Sequence, residues 1–265
     1  MVRLAVEEMS AAIFLLVQMM GHARDKAKNM QVKVLFDKDS WDSNFYTGWG
    51  LSFLIDDKII FDTGEDGDWL INNMENLKVN FNRIEAIAIS HDHWDHTGGL
   101  WEVLDRKKLK VYGCPDFSEG FKSRVKALGS EFVGVDKVAE IAGGIYLTGQ
   151  ISGLYAGTNI AEQATVIKTT KGISVLTGCS HPGIAKILEK VKSEFPKERF
   201  YLVAGGFHLI EQDARAIKII VEELKKMQIS KVGPTHCTGR EAVEIFKTTY
   251  KNYFISIKVG QIIEI

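Results

Sequence analysis

Apolar positions along the chain switch between a period of two and a period of three to four. Gln31–Phe36 (Q-V-K-V-L-F) reads as a strand. Leu51–Ile55 and Lys58–Phe61 flank Asp56-Asp57, two polar residues between apolar runs, which predicts a hairpin. Further strands are predicted at Glu85–Ile89, Lys108–Tyr112, Glu131–Val135, Gly144–Thr148, Phe200–Ala204 and Ser230–Gly233, and two closing ones at Phe254–Val259 and Ile262–Ile265. Ala164–Thr169 and Ile173–Thr177, joined through Lys171-Gly172, form a second predicted hairpin. Helical spacing appears in Asp68–Leu77, Leu100–Leu104, Asp116–Leu128, Gly183–Phe195 and Arg240–Tyr250. It also appears in Asp213–Met227, with Ala216, Ile219, Ile220, Leu224 and Met227 as the apolar set. Hairpins in each half, with helices between strands, predict an α/β fold of two packed mixed sheets with helices on both outer faces. Residues 31–265 are expected to form one domain.

Residues 11–20 (A-A-I-F-L-L-V-Q-M-M) are apolar but short of the ~20 residues that cross a bilayer. Glu7 and Glu8 accompany Arg3 before this run, which does not suit a secretory leader, and no A-x-A site follows it. Residues 1–30 are expected to be a helical extension packed on the body or on a second copy, making a homo-oligomer. A net charge of −1 gives no bulk attraction to nucleic acid or an anionic membrane, so the expected partner is a small molecule. Three widely spaced cysteines make no disulfide framework and fit a reducing cytoplasm.

The histidines change the picture. Of seven, all but His22 fall at or just past the carboxyl end of a predicted strand: His91, His93, His96, His181, His208 and His236. Ligand sites in layered α/β folds form where loops leave those strand ends. Residues 91–96 read H-D-H-W-D-H. In an extended segment His91 and His93 point to one side and can share a cation. Past Trp94 the chain must turn, which aims Asp95 and His96 at a second, adjacent position. Imidazoles beside a carboxylate suit Zn, Mn or Fe better than Ca or Mg, with Mg the weaker candidate. Two ions ~3.5–4 Å apart can clamp a displacement at phosphorus or carbon.

His91-Asp92-His93-Trp94-Asp95-His96 resembles the H-x-H-x-D-H signature of the metallo-β-lactamase superfamily, and I-I-F-D-T-G around Asp62 resembles its first motif. The resemblance covers roughly residues 31–265. It implies a four-layer αβ/βα sandwich with one or two divalent ions, zinc first, at one edge. It implies metal ligation by His91, His93, Asp95, His96 and His236, and support of the ligand loop by Asp62. The segments G-W-G-L-S-F, T-G-C-S-H-P-G-I, G-G-F-H-L and P-T-H-C-T-G are similar to one branch of the superfamily. That branch is the synthases that join a dihydropterin methyl diphosphate to a ribosyl-aminobenzene phosphate.

The chain departs from the superfamily pattern in two places. It has no G-H-T-x-G turn, and Cys179 stands where a bridging aspartate usually follows a strand. His181, two residues on, shares the side that Cys179 faces and is the expected further ligand. Cys179 is a candidate thiolate ligand, and His208 is a candidate first-sphere or substrate contact. Asp95 is expected to orient the attacking water as well as bind metal. Gly205-Gly206 and the loop Ser40–Trp49 are candidate backbone donors and aromatic walls, the latter through Trp41, Tyr46 and Trp49.

Three functions follow in order. The first is a metal-dependent hydrolase acting on a phosphate- or diphosphate-containing small molecule. The second is transfer of a dihydropterin methyl group with release of pyrophosphate. The third, a redox or metal-carrying protein, lacks the extra acidic ligands and the second domain expected of it.

Overall fold

The computed structural model describes residues 29–265, so the helix expected within residues 1–30, and any assembly through it, lie almost wholly outside the described residues. The first sheet contains β1 (Gln31–Phe36), β2 (Ser52–Ile55), β3 (Ile59–Phe61), β4 (Ala86–Ala88), β5 (Lys110–Gly113), β6 (Glu131–Gly134) and the C-terminal β15 (Ile262–Glu264). Its order is β15-β1-β2-β3-β4-β5-β6, with the β3-to-β6 portion parallel. The second sheet contains β7 (Ala139–Ala142), β8 (Ile145–Leu147), β11 (Thr165–Thr169), β12 (Gly172–Thr177), β13 (Phe200–Gly206) and β14 (Lys231–Thr235). Its order is β14-β13-β12-β11-β8-β7, and β12, β13 and β14 run parallel. A separate hairpin, β9 (Ile151–Tyr155) and β10 (Thr158–Glu162), joins neither sheet.

Alternation along the strands produces the layers. Val32, Val34, Phe53 and Phe61 of the first sheet pack between the sheets against Ile167, Leu176, Leu202 and Ala204 of the second. The neighbouring positions Leu35, Leu54, Ile60 and Ile87 turn outward, onto α1 (Gly67–Asn76), α3 (Leu100–Arg106) and α4 (Glu119–Ala127). On the far side Val175, Val203 and Val232 meet α5 (Ile184–Glu194), α6 (Ala214–Lys226) and α7 (Arg240–Tyr250). Both faces of each sheet are therefore covered, giving the expected αβ/βα sandwich. Asp56 (φ 48) and Asp57 (φ 58) occupy left-handed backbone at the centre of the β2–β3 turn, closed by Lys58 N–H to the Ile55 carbonyl at 2.9 Å; with Ile55 paired to Ile59, the loop is one residue longer than the two expected.

Three expectations need correction. On α6 the buried stripe is Ile217, Val221 and Leu224, while Ile219 is 54% exposed. The helix carries apolar residues on more than one face, so its period leaves two rotational settings open. Residues 254–259 make no ladder. They cross between sheets, with Ile255 N–H donating to Val232 and Val259 N–H to Asp39. The strands β7, β9 and β10 were not anticipated, because Ala139–Ala142 and Ile151–Glu162 lack a strong alternation. Among the described residues no helix is long and apolar enough to cross a membrane.

Candidate metal centre

Strands β4, β12, β13 and β14 deliver the histidines. His91 and His93 lie in the extended segment after β4, and Asp95 and His96 on the single helical turn α2 (Trp94–Thr97) that follows. Cys179 and His181 follow β12, His208 follows β13, and His236 follows β14. Three of these turns contain a non-glycine residue in left-handed backbone: Ser180 (φ 65), His208 (φ 49) and His236 (φ 49). Asp62, directly after β3, has φ 58. Such strain persists only where surrounding contacts over-determine it, and it concentrates at functional sites.

Two groups of donors lie side by side. Asp95, His96, Cys179 and His236 can each offer an atom within 4.8 Å of the others, as can His91, His93 and His181. A third grouping, Cys179, His181 and His208, shares members with both. In the first group Asp95 Oδ2 lies 3.3 Å from His236 Nε2 and 3.5 Å from His96 Nε2. His96 Nε2 lies 3.3 Å from His236 Nε2 and 3.4 Å from Cys179 Sγ. The groups adjoin, with the His91 and His96 ring centroids 4.2 Å apart.

Hydrogen bonds around the donors fix which ring nitrogen faces inward. Asp62 accepts the backbone N–H and the hydroxyl of Ser90, each at 2.7 Å. The Ser90 hydroxyl has one proton and gives it to the carboxylate, so it accepts from His91 Nδ1 at 2.8 Å. His96 Nδ1 donates to Asp62 at 2.7 Å, and His181 Nδ1 donates to Glu162 at 2.8 Å. All three rings therefore present Nε2 toward the common space, His96 and His181 held directly by carboxylates and His91 through the Ser90 hydroxyl, the way metal-ligating histidines are oriented. His91 Nε2 and His181 Nε2 are buried with no hydrogen-bond partner. Buried polar atoms are almost always satisfied, so these orphans mark a place for a cation, and the residues present fit one.

The electrostatics agree. Burial, reinforced by the neighbouring rings, holds His91 well below the usual imidazole range, and His93 is lowered for the same reasons. Burial also pushes His96 down, but the Asp62 carboxylate, with Asp95, outweighs it and carries the ring up to about 9. Burial pushes Asp95 up, while the hydrogen bond from His236 and the charge of His96 bring it down to about 2. The Cys179 thiol is raised well above its usual value, chiefly by burial. A cluster this perturbed in one cleft is a functional-site signature.

All eight candidate donors thus lie together, and Asp62 sits beneath them, hydrogen-bonded to Ser90 and His96. The aromatic loop divides. Trp49 lies against His236 with ring centroids 5.0 Å apart, whereas Tyr46 stacks on Trp69 at 5.9 Å and Trp41 is 70% exposed. Gly206 is not a free backbone donor, because its N–H is taken by the Gly178 carbonyl at 3.1 Å.

Two contributors were missed. Glu162 accepts the backbone N–H groups of Cys179, Ser180 and His181 at 2.7–3.0 Å, besides the His181 ring. Burial pushes its carboxyl up, and these donors bring the net shift down. Tyr155, on the unanticipated hairpin, sets its ring 4.8 Å from that of His93 and 5.2 Å from that of His181. Neither residue sits in a recognisable motif, and no sequence signal pointed to either.

The metallo-β-lactamase superfamily model matches residues 50–224. A curated relative from Methanocaldococcus jannaschii, 7,8-dihydropterin-6-methyl-4-(β-D-ribofuranosyl)-aminobenzene-5′-phosphate synthase, is 29% identical. That alignment covers 90% of this chain and 98% of the relative. A crystal structure of a metal-dependent hydrolase of the β-lactamase superfamily is 28% identical, with a TM-score of 0.76 over 89% of this chain and 99% of that one. Zn(2+)-bound PqqB from Methylobacterium extorquens, 13% identical, shares the fold with a TM-score of 0.62, covering 89% of this chain and all of that one. With its sandwich, its H-D-H-W-D-H turn and this family match, the chain belongs to the metallo-β-lactamase superfamily.

Proposed function

We propose that the chain is a divalent-metal-dependent enzyme, using one or two zinc ions, that acts on a diphosphate-bearing small molecule. The observation that carries this is the pair of buried, unpartnered Nε2 atoms of His91 and His181 beside the second donor group. Imidazole, carboxylate and thiol donors together suit zinc. A cation in this position supplies Lewis-acid polarisation of a phosphoryl oxygen and lowers the pKa of water. The chain's residues do the rest. His91, His93 and His181 would hold one position, and Asp95, His96 and His236, with Cys179 beside them, would hold the other. Asp95, held ionised, is the proposed proton acceptor for the attacking water. Trp49 beside His236 and Tyr155 beside His93 are the exposed aromatic rings nearest the donors and are the proposed contacts for a flat ring of the substrate.

A second reading, transfer rather than hydrolysis, is supported by the similarity to the dihydropterin synthase along nearly the whole chain. The two readings separate in one assay with metal-loaded protein and a dihydropterin methyl diphosphate. Pyrophosphate released only when a ribosyl-aminobenzene phosphate is added supports transfer. Release without that partner supports hydrolysis, and no release under either condition refutes both.

A further inference from the structure

Strand β13 ends in Gly205-Gly206, and the two strands that flank it, β12 and β14, lead into Cys179 and Cys237. The two turns meet across the end of β13 because Gly206 puts no side chain between them. A Cβ on Gly206 would lie 2.6 Å from Cys237 Sγ and 2.3 Å from the Gly178 carbonyl oxygen. Cys237 Sγ lies 3.5 Å from the Cys179 carbonyl oxygen, and the two thiol groups are hydrogen-bonded to each other. Both are free thiols, 5% and 4% exposed. Thiols already in contact need little movement to reach the ~2.05 Å of a disulfide bond.

Cys179 has a second set of neighbours. It belongs to the donor group of Asp95, His96 and His236, with its Sγ 3.4 Å from His96 Nε2. Cys237 belongs to none of the donor groups among the described residues. One sulfur therefore faces two alternative partners, a cation held by the neighbouring donors or a second sulfur. The third thiol, Cys114, follows β5 in the first sheet and reaches the Ser90 carbonyl at 3.9 Å.

We propose that Cys179 and Cys237 are a redox-active pair, joined as a disulfide when a peroxide oxidises the metal-free site and kept as thiols when a cation engages Cys179. The peroxide O–O bond breaks as one thiol becomes a sulfenic acid and one water leaves. The second sulfur then displaces that hydroxyl, which leaves as a second water carrying the second thiol proton. Two thiols are oxidised and one peroxide is reduced to two waters. The thiolate is the form of cysteine that binds metal, so the disulfide removes Cys179 from the donor group. The coupling to metal rests on the reading above, whereas the sulfur–sulfur bond does not.

The test treats the metal-free full chain with hydrogen peroxide, alkylates the remaining thiols and maps tryptic peptides by mass spectrometry. The expected product joins peptides 172–186 and 232–240 and leaves Cys114, in peptide 111–122, alkylated. Zinc-loaded protein is expected to form this product about tenfold more slowly. The oxidised chain is expected to bind zinc about tenfold more weakly than the reduced one, with dithiothreitol restoring the difference. Cys237→Ser, checked for folding by circular dichroism, is expected to form no cross-link and to bind zinc like the reduced wild type. Absence of the 179–237 product in metal-free wild type overturns the proposal. So does a cross-link that forms equally fast with zinc present, or a Cys237→Ser chain that loses zinc, which would make Cys237 a ligand. A chain that cross-links but binds zinc in neither state would keep the sulfur pair and refute the metal reading instead.

Discussion

Glu162 Oε2 and His181 Nδ1 meet at 2.8 Å, with both side chains about 1% exposed. The same carboxylate gathers the N–H groups of Cys179, Ser180 and His181, so one buried charge holds the whole turn that carries two candidate ligands.

Glu162→Gln preserves the shape of the side chain but faces N–H donors with an NH₂ group. It is expected to lower zinc affinity by about 10–100-fold, the usual effect of losing the partner of a ligating histidine. Competition with a chromophoric chelator measures this. Wild-type affinity in Glu162→Gln would show that the turn holds its shape without the charge.

His93→Ala and His96→Ala should differ in kind. His93 is half-buried, and its loss should remove at least one ion while leaving the chain folded. His96 is fully buried against Asp62, and its loss leaves that carboxylate without its cation. A cost of about 3–5 kcal/mol is expected for breaking such a pair, against little for His93→Ala. Elemental analysis and denaturant unfolding of metal-free protein separate the two. Equal destabilisation by both would contradict the buried pairing.

Asp37 gives a pH signature. Burial raises its carboxyl to about 6, although the Thr235 hydroxyl donates to it at 2.5 Å. A raised folded value means the native chain holds this proton more tightly than the unfolded chain, whose value is near 3.8. That contribution is complete below pH 4 and is lost as pH climbs through 6. Relative to Asp37→Asn, the metal-free wild type should therefore lose about 3 kcal/mol between those limits and change no further above them. Unfolding of both proteins across this range checks the sign. A wild type that gains stability relative to Asp37→Asn as pH rises would reverse it.

Gly178→Ala tests the fit of the two ligand loops. A Cβ there would overlap Ser90 Oγ and come within 2.9 Å of Asp62 Oδ2, both already committed to His91 and His96. The displaced pair should cost about 1–3 kcal/mol and weaken metal binding together. Unchanged melting and metal content would mean that the loops give way easily.

Much of this site was legible because its donors cluster at strand ends. His91, His93, Asp95 and His96 announce themselves by spacing alone, and the positions of His181, His208 and His236 follow from the strand ends that precede them. The supporting layer was not legible. Glu162 ends a short strand of weak pattern, and its value comes from three backbone N–H groups more than fifteen residues downstream, which spacing cannot reveal. The fold shows the same division. Arg240–Tyr250 is helical as its period predicts, because one apolar stripe dominates it. On α6, two stripes compete, and packing on the sheet selects Ile217 and Val221 over Ile219. Phe254–Val259 is apolar enough for a strand, but it spends its length passing from one sheet to the other.

The donors have one more property: His91, His93, Asp95 and His96 leave the first sheet, whereas Cys179, His181, His208 and His236 leave the second. The apolar layer between the sheets is non-directional and resists sliding only through side-chain interdigitation. A cation gripped from both sides would add short, directional bonds across that seam, riveting the halves against shear. Its departure should then loosen this one edge of the sandwich first, while the opposite edge keeps its packing.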